Sequence, residues 1–149
     1  MLVLSIMAIL SGLIQVNIRW RKQEAEVKNI VECVKIYEAA LQMYYLHNNG
    51  KFPDKLEDEQ RLEDNDDLKP FQPINFNTDN LIKSESCSGI CYYVSDGKIG
   101  IKVNFNENKT VFIDKIEKKL KKHCIDSQVS SGTSYLYYYL KDGSGIIYI

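Results

Sequence analysis

The sequence predicts an α+β domain in which one long N-terminal helix lies across a small antiparallel sheet. Three observations carry this expectation. Residues 13–46 contain neither Pro nor Gly and repeat apolar side chains at spacings of three and four. Asp96-Gly97, a strong hairpin turn signal, separates the strand-like runs Tyr92–Val94 and Lys98–Phe105. Asp142-Gly143-Ser144-Gly145 stands in the same way between Tyr135–Leu140 and Ile146–Ile149.

The helix divides by composition. Met1–Ile18 carries no charge, although Gln15 and Asn17 interrupt its apolar run. Between Glu24 and Leu46 the pattern turns amphipathic: Val27, Ile30, Val31, Val34, Tyr37, Leu41, Tyr44 and Tyr45 fall on one stripe. Glu24 and Lys28 form a favourably oriented i,i+4 pair on the polar side. Asn48-Asn49-Gly50 supplies the stop, and Pro53 blocks resumption. From Met1 to Leu46 one continuous helix would extend about 69 Å.

Residues 47–90 read as a loop. The acidic run Glu57, Asp58, Glu59, Glu63, Asp64, Asp66, Asp67 is followed by Pro70 and Pro73, the pattern of a solvated connector. A calcium site is the weaker reading, since no D-x-[DN]-x-[DN]-G spacing occurs. Past residue 91 the chain is strand-like. Ile99, Ile101, Val103 and Phe105 alternate with Gly100, Lys102 and Asn104, the mark of a half-buried strand. Val111–Ile113 reads as a short strand or a helix start. Asp114–His123 reads as a helix with Ile113, Ile116 and Leu120 inward and its lysines in water. The expected division is therefore residues 1–23 as an apolar half-helix and 24–149 as a globular domain. The domain comprises a helix over 24–46, a loop over 47–90, and a sheet with a short helix over 91–149.

Catalytic signatures are not found. No Ser-His-Asp arrangement, H-E-x-x-H, P-loop or G-x-G-x-x-G pattern occurs, and the expectation is a protein that is not an enzyme. A net charge of −1 gives no basic field for specific nucleic-acid binding. The lysines at 115, 118, 119, 121 and 122 read as a solvated helix face, with anionic lipid or DNA as sharper alternatives. Cys87-x3-Cys91 with His123-Cys124 could form a Cys3His zinc site, but nothing beyond spacing supports it. In an oxidising compartment the four cysteines favour two disulfides. Cys87–Cys91 would close a small loop. Cys33–Cys124 would staple helix to sheet and close about ninety residues, worth about 4–5 kcal/mol.

The apolar segment is short for a membrane span. Its uninterrupted run, MLVLSIMAILSGLI, reaches about 21 Å against roughly 30 Å of hydrocarbon. This run resembles the start of a type IV pilin or type II secretion pseudopilin. There a pattern such as F-T-L-I-E precedes a run of Leu, Val, Ile and Ala, and this chain matches the part after the Glu. Restoring five residues would add about 7.5 Å, so the sequence leads us to expect a native start upstream of Met1. YYLHNNGKFPDKLED resembles the family's helix exit, in which a Tyr-rich end runs into N-G-x-[YF]-P.

The resemblance implies a pilin-like fold and a structural role. This would be a minor pilin or pseudopilin of a type IV pilus, type II secretion or competence filament. Leu2, Val3, Ile6, Ile9, Leu10, Leu13 and Ile14 would pack in membrane and filament. Its partners would be other pilin or pseudopilin subunits, an inner-membrane assembly platform and the lipid bilayer, and no cofactor is implied. The domain would lie outside a single-pass anchor in the cytoplasmic membrane. Two departures stand against the match: the family's Glu and its processing site are absent from these residues, and the helix-breaking Pro of many major pilins has its place near Asn17, where no Pro stands. Arg19, Arg21 and Lys22 beside Trp20 also favour the opposite orientation under the positive-inside rule. The alternative is a single-span, membrane-anchored ligand-binding domain that does not polymerise.

Overall fold

The computed structural model describes residues 2–81, 87–95, 98–106, 110–120, 126–130 and 133–141. Helix α1 runs unbroken over Leu2–His47 for 46 residues, a length of about 69 Å. Burial cuts it in two. Every residue from Ser5 to Ala25 is exposed, whereas Val27, Ile30, Val31, Cys33, Val34, Tyr37, Ala40 and Leu41 are buried. Their spacing of three and four aligns them on one face, and that face is the one covered by the domain.

The end of α1 is fixed by backbone chemistry. Asn49 and Gly50 both take left-handed conformations, with φ of 55° and 77°. The Gly50 N–H then reaches back 2.9 Å to the Tyr45 carbonyl, and the Asn48 side-chain amide donates to the Tyr44 carbonyl at 3.0 Å. A Cβ at Gly50 would stand 3.3 Å from the Tyr45 hydroxyl oxygen. A positive φ and close approach of the ring together favour glycine here.

The connector is more ordered than its acidity suggests. Glu57, Asp58, Glu59, Asp64 and Asp66 face water, but Leu62, Asn65, Leu68, Phe76 and Thr78 are buried beneath them. Leu62 opens a 3-10 turn, Leu62–Asp64, and Asn65 caps its end; Leu68 directly precedes a second, Lys69–Phe71, and Thr78 opens a short helix α2, Thr78–Leu81. Asn65 organises the middle. Its Nδ2 donates to Gln60 Oε1 at 2.9 Å, and its Oδ1 accepts from the N–H groups of Asp67 and Leu68, each at 3.0 Å. That pattern is a side-chain turn of the kind Asn favours. The expectation of a plain solvated loop over 47–90 is thus corrected: single apolar anchors hold it, without any period to announce them.

The sheet has four antiparallel strands in the order β1-β2-β4-β3: β1 Cys87–Ser95, β2 Lys98–Phe105, β3 Asp126–Ser130 and β4 Thr133–Lys141. Strand β2 matches its expected bounds, and Ser95 pairs with Lys98 across the two-residue connection at 96–97. Strand β1 starts five positions before the expected Tyr92. A register shift between Cys87 and Gly89 absorbs the Ser88-Gly89 pair that looks like a turn in sequence. The second hairpin of the structure joins β4 to the preceding β3. The expected partner strand Ile146–Ile149 and its turn at 142–145 lie outside the described residues. The outer edge of β1 is covered rather than open: Glu59 N–H donates to the Tyr92 carbonyl at 2.9 Å, and Tyr92 N–H donates to the Gln60 carbonyl at 2.8 Å.

Helix α3, Thr110–Leu120, packs beside α1. It begins four residues before the expected Asp114, which settles Val111–Ile113 as helix. Ile113, Ile116 and Leu120 are buried as their spacing requires. One core results, joining the outer half of α1 to Ile90, Tyr92, Ile99, Ile101, Val103, Phe105, α3 and the connector anchors. The long helix on an antiparallel sheet makes this an α+β fold.

Candidate functional site

Among the described residues, most of the exposed large apolar side chains lie on the free half of α1. Ile6, Met7, Ile9, Leu10, Leu13, Ile14, Val16 and Ile18 are each between 50% and 64% exposed, far from the isolated apolar residues that any surface carries. At 3.6 residues per turn they form one broad sector. Ser5, Ala8, Ser11, Gly12 and Gln15 occupy the remaining, narrower face. Ser11 Oγ is satisfied within the helix by the Ala8 carbonyl at 2.9 Å, and nothing stands within 4 Å of where a Gly12 Cβ would be. Of the packing residues expected from sequence, Ile6, Ile9, Leu10, Leu13 and Ile14 are thus brought onto this free surface; Leu2 and Val3 continue the helix. Among the described residues, no helix is long and apolar enough to cross a membrane.

Where the apolar sector ends, Trp20 projects from α1 at 59% exposure, flanked by Arg19 and Arg21. Helix α3 meets it there. Lys115 Nζ lies 4.7 Å from the centre of the Trp20 ring, within cation–π range. Glu24, Val27, Lys115, Lys118 and Lys119 line an adjacent open groove of about 250 Å³. Lys118 and Lys119 are exposed and Lys115 is half-buried against the ring; Lys121 and Lys122 lie outside the described residues. No local pattern could announce that contact, because its two partners stand far apart in the chain.

The interior polar groups serve the fold. The Tyr37 hydroxyl donates to the Ile90 carbonyl at 3.0 Å and lies 3.1 Å from the Thr78 hydroxyl and 3.4 Å from Glu63 Oε2. Thr78 N–H donates to Glu63 Oε1 at 2.7 Å, and the Tyr92 hydroxyl donates to the Tyr37 carbonyl at 2.8 Å. Burial raises both phenols, so they stay protonated at neutral pH. Burial alone would also raise the Glu63 carboxyl, but hydrogen bonds from Thr78 and the Arg61 charge outweigh it and hold the carboxyl below its usual range. Arg61 itself is paired with Asp79.

A carboxyl lowered in the folded state stabilises the fold above its unfolded pKa of about 4.3, and that contribution disappears as pH falls through the folded value. Urea midpoints at neutral pH and near pH 3.5 are therefore expected to differ less for Glu63→Gln than for the wild type. Equal differences in the two proteins would remove Glu63 from the acid response, since the other carboxylates are common to both.

Of the cysteines expected to pair, Cys33 and Cys91 are buried free thiols, and Cys87 and Cys91 are not bridged in this structure. The expected Cys33–Cys124 pairing falls on Cys124, which lies outside the described residues. The register shift between Cys87 and Gly89 explains the unbridged pair. In a regular strand residues four apart share a face, but the shift leaves Cys87 opposite Phe105 in the core cluster and Cys91 opposite Lys102 on the other face, near Asn104. Burial pushes Cys33 up to about 12, and Cys87 and Cys91 each to about 11. None offers a thiolate nucleophile at neutral pH. Among the described residues, no group of three or more His, Cys, Asp or Glu could hold a metal ion, which leaves the calcium and zinc readings without a donor set there. His47 lies against the Phe71 ring at 5.3 Å; His123 is outside the described residues.

No family model, no curated protein and no solved structure matches this chain.

Proposed function

We propose that this chain is a structural subunit of the pilin or pseudopilin kind, a minor component of a type IV pilus, type II secretion or competence filament. The observation that carries the reading is the division of α1. One rigid helix gives its outer half to the domain core and leaves its apolar inner half wholly uncovered. Such a surface requires a second apolar environment, and a lipid bilayer and a bundle of like helices both supply one. The narrow face of Ser5, Ala8 and Gly12 supports the bundle, because small residues at this spacing let helix backbones approach closely. The chain performs no chemistry in this reading. It sits in the cytoplasmic membrane with the domain outside, and passes from lipid to filament through an inner-membrane assembly platform. Its partners are other subunits of the same kind.

The test is made in the source cells with a tagged chain carrying Leu13→Cys. The tagged chain is expected in the fraction of sheared or purified filaments, cross-linked through that cysteine to a neighbouring subunit. A protein confined to the membrane fraction, and never cross-linked there to a filament subunit, would instead be an anchored binding domain, and the filament reading would be wrong.

A further inference from the structure

Charge is sorted along the length of this molecule. No Asp or Glu precedes Glu24, so Arg19, Arg21 and Lys22 follow the apolar half-helix with no carboxylate among them. Helix α3 adds Lys115 at the level of Trp20, and Lys118 and Lys119 at the level of Glu24 and Val27. The acidic connector lies farther along α1, with Glu63 at the level of Tyr37 and Asp54 and Asp67 near Tyr44. Positions 37 and 44 of a straight helix lie about 25 and 36 Å from position 20. Glu24 and Asp114 stand beside the lysines, but Arg19, Arg21, Lys22, Lys115, Lys118 and Lys119 outnumber them, so the end continuous with the apolar helix is the more basic one.

The distances match a bilayer surface. A headgroup layer is about 5–7 Å thick on each side of the hydrocarbon. Trp20 stands about 3 Å along the axis beyond Ile18, and Glu24 about 9 Å beyond it. With the apolar half of α1 in hydrocarbon, the Trp20 ring and the Lys115 amine fall within the headgroup layer. Lys118 and Lys119 fall at its outer margin, within reach of flexible four-carbon stems. Tryptophan favours that depth for its amphipathic ring.

We infer that Trp20, Arg19 and Arg21 of α1, together with Lys115, Lys118 and Lys119 of α3, form a collar that docks the domain onto anionic phospholipid headgroups. The collar sets the tilt of the domain, and the acidic connector is held away from the same surface by repulsion. This rests on the membrane-anchoring part of the function proposed above and does not need polymerisation. Lipid is favoured over nucleic acid because the adjoining apolar helix ties the collar to a bilayer surface, and the acidic connector opposes an extended polyanion.

The lone tryptophan of the chain makes the test direct. The full chain is added to vesicles of phosphatidylcholine, alone or mixed with phosphatidylglycerol, and binding is followed by Trp20 emission. Binding to neutral vesicles reports the apolar helix, and the gain on adding phosphatidylglycerol reports the collar. A lysine near an anionic surface contributes about fivefold. Lys115→Gln/Lys118→Gln/Lys119→Gln is therefore expected to lose roughly ten- to a hundredfold of the phosphatidylglycerol gain, while keeping neutral binding and the wild-type circular dichroism spectrum. High salt should erase the same gain in the wild type. A gain retained by the triple variant overturns the collar. So does a triple variant whose loss is larger for short duplex DNA than for vesicles. Failure of the wild type to bind neutral vesicles is the separate result that removes the anchoring reading and the collar with it.

Discussion

Tyr37→Ala is expected to lower the free energy of unfolding by about 3–5 kcal/mol, the cost of truncating a fully buried aromatic side chain. Tyr37 is completely inaccessible and stands where helix, sheet and connector meet. Its ring lies 5.0 Å from Tyr92 and 6.3 Å, edge on, from Phe76. Its hydroxyl touches Glu63 and Thr78 of the connector and Ile90 of β1. Against a typical total of about 5–15 kcal/mol, such a loss leaves a domain of this size marginal. Tyr37→Phe separates the two contributions. It keeps the ring contacts and removes only the hydroxyl, at a cost of about 1–3 kcal/mol for the partners left unsatisfied. Urea unfolding in mild detergent, followed by circular dichroism, measures both. A Tyr37→Phe protein as stable as wild type would show that the hydroxyl contacts are not coupled to folding, and an equally stable Tyr37→Ala protein would displace Tyr37 from the core altogether.

What was legible in the sequence was whatever repeats. The stripe from Val27 to Leu41 has the helical period, Ile99 to Phe105 has the strand period, and Ile113, Ile116 and Leu120 share one helical face; all of these are buried as expected. Features without a period were lost. Leu62, Leu68 and Phe76 anchor the connector one at a time, so no period marks them among its acidic residues. Strand β3, Asp126–Ser130, has Val129 as its single apolar residue; it is held by pairing with β4 rather than by pattern. Ser88-Gly89, between Cys87 and Cys91, is turn-like in sequence yet forms a register shift within β1, because a bulge and a turn draw on the same residues. Ile6, Ile9, Leu10, Leu13 and Ile14 stand exposed on a helix that the uninterrupted apolar run already marks in sequence. The basic end was half readable: Arg19, Arg21 and Lys22 are adjacent in sequence, whereas the approach of Lys115 to Trp20 depends on how α3 is folded back along α1.

In the proposed role, Leu10→Lys/Leu13→Lys should remove the chain from both membrane and filament while leaving the domain intact. Both leucines are exposed near the middle of the apolar sector, so neither substitution disturbs a core contact. Each lysine near the centre of a membrane-embedded helix costs about 2.5–3.5 kcal/mol, and together they shift partitioning by roughly four orders of magnitude. Unfolding of the double variant is expected to coincide with wild type, with its sedimentation moved from the membrane to the soluble fraction. Retention in the membrane would mean that the apolar sector is not the anchor. Gly12→Leu divides the remaining possibilities. A side chain there meets nothing within the monomer, and leucine is welcome in lipid, so neither folding nor membrane binding should change. It does fill the narrow face along which a neighbouring helix would approach. Loss of filament incorporation with full membrane retention would place that face at the subunit contact; normal incorporation would move the contact to the broad apolar sector.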